Sequence, residues 1–380
     1  PGKANRSWEA ALTKATARVR QWEWGQLGLF FATQVWNTYI ISILTFVAQL
    51  EQPPPGVAEA MHKMLRTAAH GPGNWFRPDD VLRLRRSYGF AGEFKDIETV
   101  AMATRFRTAW QEDRKSGGLR AVSRAAAIRE LWTNSQQVAR CGVWASWFRN
   151  FVLQNLADTL TTAKGQYAGT PPELENELAT GEPRPWDLRT AARVRRTFQK
   201  AATRKFQAKD TYDPEQRVRF NLQRFGLKDW RQAARCLQRL RDIGSQVPPR
   251  VWAASLGSVW NRWATSRRRQ ITHSQCMLGC TDGEDSLEHY GRCRLVWRFA
   301  SKHLHIRCRY SPGWEYWTLT APEDRETSQH KSWWPRMALL HYAVLRTAQA
   351  ASSRGQLSPD ESQRALRQAA IEGARGHPLA

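Results

Sequence analysis

The segment CMLGCTDGEDSLEHYGRC holds the residues best suited to chemistry. Three residues separate Cys276 from Cys280, eight separate Cys280 from His289, and three separate His289 from Cys293. Two thiolates on a tight turn, a short loop, then an imidazole and a thiolate at a helix start match the tetrahedral N/S set that zinc prefers. The Asp282–Gly283 pair supplies the reversal between the two halves. Thiolate and imidazole ligands suit zinc better than magnesium or calcium, and four of them close the coordination sphere, so the expected site is structural. Ordinary buried thiols are the bland alternative, although three of them around one histidine in so short a window argue for a metal. His273, His303, His305 and Cys308 are spare donors, any of which can stand in for one of the four.

The ligands must be held by their neighbours, and those neighbours are strongly basic. The chain has 380 residues and a formal net charge of +24. Between residues 183 and 270 there are 22 Lys or Arg against 6 Asp or Glu, so the excess sits just before the cysteine cluster. Arg193, Arg195, Arg196, Lys200, Arg204 and Lys205 recur along one predicted helix, and Arg231, Arg235 and Arg239 step by four along another. Arg267, Arg268 and Arg269 end the helix expected to lead into the cluster. Such rows can be solvated faces, but acidic partners are scarce here and phosphate neutralisation by Arg and Lys dominates nucleic-acid binding. Nucleic acid, RNA or DNA, is the expected partner. Trp252, Leu256, Trp260 and Trp263 share one helical face and read as core rather than as base-stacking platforms.

Periodicity is helical almost throughout. Ser7 is the expected N-cap of a first helix, and an uncharged helix follows Gly25. From Gly25 to Leu50 no charge occurs, long enough to span a bilayer at about 20 residues. Yet Gln34, Thr38, Ser42, Thr45 and Gln49 line one face, the pattern of a helix buried on most sides, and no membrane partner is expected. Further helices are expected over 57–70, 79–87, 97–114, 119–160, 294–303, 332–351 and 359–371. The fold expected is mostly α, a multi-helix array with a small CCHC knuckle. Its divisions would be a helical region at 1–165, a Pro/Gly-rich linker or loop at 166–185, a basic helical region at 186–310 containing the knuckle at 276–293, and a helical tail at 311–380. The six cysteines are too few and too uneven for a secreted disulfide framework, and the start lacks a signal-peptide pattern, so an intracellular chain is expected. A first residue of Pro rather than Met suggests a fragment of a longer product.

The segment NRWATSRRRQITHSQCMLGCTDGEDSLEHYGRC resembles the C-terminal region of LINE-type (non-LTR) retrotransposon reverse transcriptases. There a basic stretch leads into a cysteine-cysteine-histidine-cysteine knuckle with an acidic residue shortly before the histidine. The matching residues are Arg268, Cys276, Cys280, Glu288, His289 and Cys293. WNTYIISILTFVAQL resembles the segment where the thumb begins after the polymerase palm, so the likeness runs from Trp36 to Cys293, with a specific motif only at the knuckle. The family's last spacing is one residue longer than the His289–Cys293 spacing here. The resemblance implies a thumb-like first region and a segment that holds RNA or target DNA for an upstream RNA-directed DNA polymerase. The setting implied is target-primed reverse transcription in the nucleus.

No catalytic residue is expected in this chain. A polymerase palm needs paired aspartates on a strand hairpin to hold two metal ions, whereas Asp79–Asp80 follows a proline and opens a basic helix, where an aspartate serves as N-cap. Asp324, Glu326 and Lys331 offer the residue types of a nuclease but fall in an expected loop. Two other readings remain: a helical adaptor that binds proteins, and an inactive retroelement relic.

Overall fold

In helix α8 (Trp230–Ile243) Ala233, Cys236, Leu237, Leu240 and Ile243 fall on one stripe and are buried, which is what makes this basic segment an amphipathic helix. The same logic organises a mostly helical computed structural model, which describes residues 2–49, 51–73, 75–101, 104, 212–271, 274–306, 314–322 and 332–377. Among them the helices are α1 (Gly2–Gln21), α2 (Trp24–Val35), α3 (Ile41–Ala48), α4 (Val57–Ala68), α5 (Pro78–Leu82), α6 (Leu84–Tyr88), α7 (Pro214–Leu222), α8, α9 (Pro249–Val259), α10 (Leu287–Tyr290), α11 (Arg294–Leu304), α12 (Trp314–Trp317), α13 (Trp333–Arg354) and α14 (Pro359–Ala374). No strand forms among the described residues; Gln275 and Glu284 make one isolated antiparallel bridge. The expected linker at 166–185, the helix at 119–160, most of the helix at 97–114 and the six cations from Arg193 to Lys205 lie outside the described residues, as do Asp324, Glu326, Lys331, His273 and Cys308.

The chain divides into two compact units. In the first, Trp8, Ala11, Ala15 and Val19 of α1 recur at helical spacing and are buried, and α1 packs on α3 and on a π-helical turn, Trp36–Ile40. Trp36 is fully buried and donates its indole N–H to the Lys95 carbonyl at 3.1 Å. Ser7 is not the N-cap of α1. The helix begins five residues earlier, and the Ser7 hydroxyl donates to Glu51 at 3.2 Å.

The run Trp24–Ala48 is the one helical stretch among the described residues long and apolar enough to cross a membrane. Gly28 leaves helical geometry within it, at φ 67° and ψ 164°. The expected polar face is real: Gln34, Thr38 and Ser42 are exposed and Thr45 and Gln49 half-buried, although Phe31 and Phe46 are exposed as well.

In the second unit α9 is the hub. Every residue from Val251 to Val259 is buried, and α7, α8 and α13 pack around it; its two buried serines are hydrogen-bonded, Ser258 to Ala254 O and Ser255 to His341. Trp252, Trp260 and Trp263 belong to the core, as their spacing suggested, but the helix stops at Val259, so Trp263 arrives by a loop. Long α13 packs along α9 and α14, and α14 also packs on α11. Ser358 caps α14 through a reciprocal bond with Glu361, and Asp229 caps α8.

Asp79–Asp80 differs from expectation. Arg77 occupies the N-cap position of α5, and Asp80 is third in the helix, with its carboxylate reaching back to the Arg77 N–H at 2.7 Å. Asp80 is fully buried and also accepts from Arg217 Nε at 2.9 Å and from the Tyr212 hydroxyl at 2.6 Å. Tyr212 in turn bonds the Tyr88 hydroxyl. The aspartate is a buried charge paired and hydrogen-bonded on every side, the condition under which such a charge is tolerated.

Candidate metal centre

The chain around Cys276 is shaped by backbone pairing. Cys276 N–H donates to Gly283 O at 3.0 Å and Asp285 N–H to Ser274 O at 3.2 Å, so residues 274–285 fold back on themselves. Between the first two cysteines Gly279 takes φ +77°, and a Cβ there would lie 2.1 Å from the Leu357 carbonyl oxygen. Only glycine meets both demands. Ser286 then caps α10 by accepting the His289 N–H at 3.1 Å, and Cys293 is the N-cap residue of α11. The imidazole therefore comes from a short capped helix and the last thiol from a helix start, as the spacing suggested.

The ligand atoms of Cys276, His289 and Cys293 all lie within 4.8 Å of one another, and this group can hold a metal ion. Tetrahedral zinc, with Zn–S of about 2.3 Å and Zn–N of about 2.0 Å, places ligand atoms roughly 3.5–4 Å apart. The trio is thus within a small side-chain adjustment of that geometry. His289 Nε2 is buried without a hydrogen-bond partner, an atom left available to a metal. A Cβ at Gly283 would lie 2.1 Å from His289 Nδ1, so this glycine lets the ring seat against the backbone.

Cys280 stands just outside the trio. It is buried, its own N–H donates to the Cys276 sulfur, and its thiol neighbours Cys293. Its sulfur accepts the Asp282 N–H at 3.4 Å. The Cys293 thiol donates to Cys276, which holds Cys276 below the usual thiol range, and the same bond together with burial pushes Cys293 up to about 12. Backbone N–H groups aimed at sulfur stabilise the thiolate form that binds metal.

Two sets of contacts fix the turn in place, and neither was read from the sequence. Asp285 is buried and accepts from Ser266 N at 2.7 Å, Ser266 Oγ at 2.8 Å and Tyr290 Oη at 2.6 Å, while its carbonyl accepts the Arg267 N–H at 3.2 Å. It joins the basic turn to the cysteine loop. Glu288, the acidic residue matched by resemblance, instead lies within electrostatic reach of Arg224, whose guanidinium burial pushes down to about 10. From the other side Gln356 donates to Cys276 O at 3.1 Å, Leu357 N–H to Met277 O at 3.1 Å and Ser362 Oγ to Leu278 O at 2.7 Å. The only sequence signal for these was the Ser358–Glu361 capping pattern, which locates a helix start but not what it touches.

The expected phosphate-binding cations are placed unequally. Arg267–Arg269 form a 3₁₀ turn after a loop rather than a helix end. Arg267 is exposed and paired with Glu284 at 3.0 Å, Arg268 donates to Gly73 O at 2.7 Å, and Arg269 is exposed. In α8, Arg231 is exposed beside the exposed Trp230. Arg235 donates to Thr320 O at 2.8 Å, and buried Arg239 donates to Leu319 O at 2.8 Å with its guanidinium 3.6 Å from the Trp334 ring centroid. These last two close the 318–320 loop. His303 and His305 stand outside the metal-competent trio.

Compared with known proteins, the chain matches no family model, no curated protein and no solved structure.

Proposed function

We propose that the chain is the nucleic-acid-binding C-terminal segment of a LINE-type reverse transcriptase, holding RNA or target DNA for an upstream polymerase domain in the nucleus. Cys276, Cys280, His289 and Cys293 bind one zinc ion as a CCHC knuckle. The zinc is structural, because four protein ligands leave no open position for catalysis. The observation that carries the reading is the junction at Asp285: its buried carboxylate accepts from Ser266 and its backbone carbonyl accepts the Arg267 N–H, fastening the metal-competent loop to the start of the Arg267–Arg269 turn. In this reading the zinc rigidifies a loop whose task is to present cations.

Two measurements on the purified chain test it. Metal analysis is expected to give one equivalent of zinc, released when Cys276 and Cys293 are both changed to Ser. A chain purified without zinc that neither takes up the ion nor gains stability from it overturns the knuckle. Binding to a short RNA and to a DNA duplex is expected to weaken steeply as salt rises, because several counterions are released. An affinity indifferent to salt, or no binding, overturns the nucleic-acid role.

A further inference from the structure

Helix α11 buries Leu295, Val296, Trp297, Phe299, Ala300 and Leu304, and turns Arg294, Arg298 and Lys302 to solvent. These three are four residues apart, about 6 Å per step along the axis. Arg294 is engaged by Asp282 at 3.1 Å. Arg298 and Lys302 are exposed and have no acidic partner among the described residues. Helix α14 packs against α11, with Gln363 donating to Leu295 O at 3.0 Å, and brings the exposed Arg367 to the same place. His303 reports the convergence. Burial first, and then Lys302, Arg367 and His305, holds its imidazole below the usual range, so every charged neighbour it feels is positive.

A concentration of cations with no acidic partner among the described residues, on one two-helix face, is an electrostatic footprint for a polyanion. A membrane surface would also require an apolar face turned outward. The apolar faces of α11 and α14 are buried in the fold, and Ile371 is their one exposed large apolar side chain. We propose that Arg298, Lys302 and Arg367 form a phosphate-binding face for the nucleic-acid backbone, beyond the cysteine loop and distinct from the arginines that precede it. The proposal rests on the nucleic-acid reading above and names a surface that reading does not include.

The test compares the full chain with a variant carrying Arg298→Ala, Lys302→Ala and Arg367→Ala together, on a single-stranded RNA and on a DNA duplex across a salt series. The slope of log affinity against log salt is expected to become shallower by about 2–3, with affinity at low salt reduced on the order of tenfold. Lys302→Glu alone, the gentler change, is expected to move both quantities in the same direction. A parent chain that binds steeply and a variant with the same slope overturn this face and leave the wider reading standing. A parent chain that binds neither probe removes both. If the variant keeps nucleic-acid binding but loses co-sedimentation with phosphatidylserine vesicles, the face serves a membrane and the proposal is wrong.

Discussion

Arg231, Arg235 and Arg239 step by four along α8 in the same way that Arg294, Arg298 and Lys302 step along α11, yet the first row turns into the protein and the second stays out. At 3.6 residues per turn, a step of four overshoots a full turn by about 40°. A row of three therefore winds about 80° around the helix. In α8 Arg231 begins opposite the buried stripe, and the winding carries Arg239 to its edge, where Leu319 O and Trp334 receive it. In α11 the row straddles the outward pole, so the same winding leaves all three cations in solvent. Arginine spacing alone does not distinguish a solvent-facing cation from an internal brace; the phase of the row against the apolar stripe does.

The largest expected effect tests the inward class. Asp80→Ala leaves Arg217 buried without its carboxylate and should cost about 3–5 kcal/mol in denaturant unfolding, with much of that recovered when Arg217→Met is added. Recovery absent from the double variant would mean that the pair is not what the single change disturbs. Next, Arg239→Ala should cost about 2–3 kcal/mol, since it removes a buried charged hydrogen bond and an aromatic stack. It should leave nucleic-acid affinity unchanged. Lost affinity at full stability would return Arg239 to the outward class.

A smaller effect concerns His341, fully buried against Ser255 Oγ at 3.1 Å, whose imidazole burial pushes from 6.5 down to about 3. Between those values the unfolded chain binds a proton that the native chain refuses, so stability falls as pH drops through that window. The slope from this group is about 1.4 kcal/mol per pH unit. His341→Gln should flatten the profile by that amount, and an unchanged slope would place the acid sensitivity elsewhere. Smallest of all, Arg298→Ala should leave the melting temperature within about a degree, as surface changes do; a clear drop would show that the outward row is also structural.

Much of this is legible in the sequence. The helices expected at 294–303, 332–351 and 359–371 lie at Arg294–Leu304, Trp333–Arg354 and Pro359–Ala374, close to the bounds their periodicity suggests. The Cys276, His289 and Cys293 grouping followed from local spacing, because turn and helix geometry over so few residues leaves little freedom. What was not legible is long-range. Asp285 meets Ser266, and Gln356 meets Cys276, across stretches whose path depends on tertiary packing. Asp80 looked like a cap because its neighbours in sequence are a proline and a basic run, while its real partner, Arg217, is 137 residues away.

The Gly279 turn, held by Leu357 and Ser362, sets an order of events. Its three carbonyls find their donors in a segment synthesised about 80 residues later, so the cysteine loop has high contact order despite its small size. During synthesis the thiols emerge first and wait with their backbone acceptors in water. Local pairs fold the loop back on itself, but these three acceptors are satisfied only once the chain from Gln356 to Ser362 has packed against it.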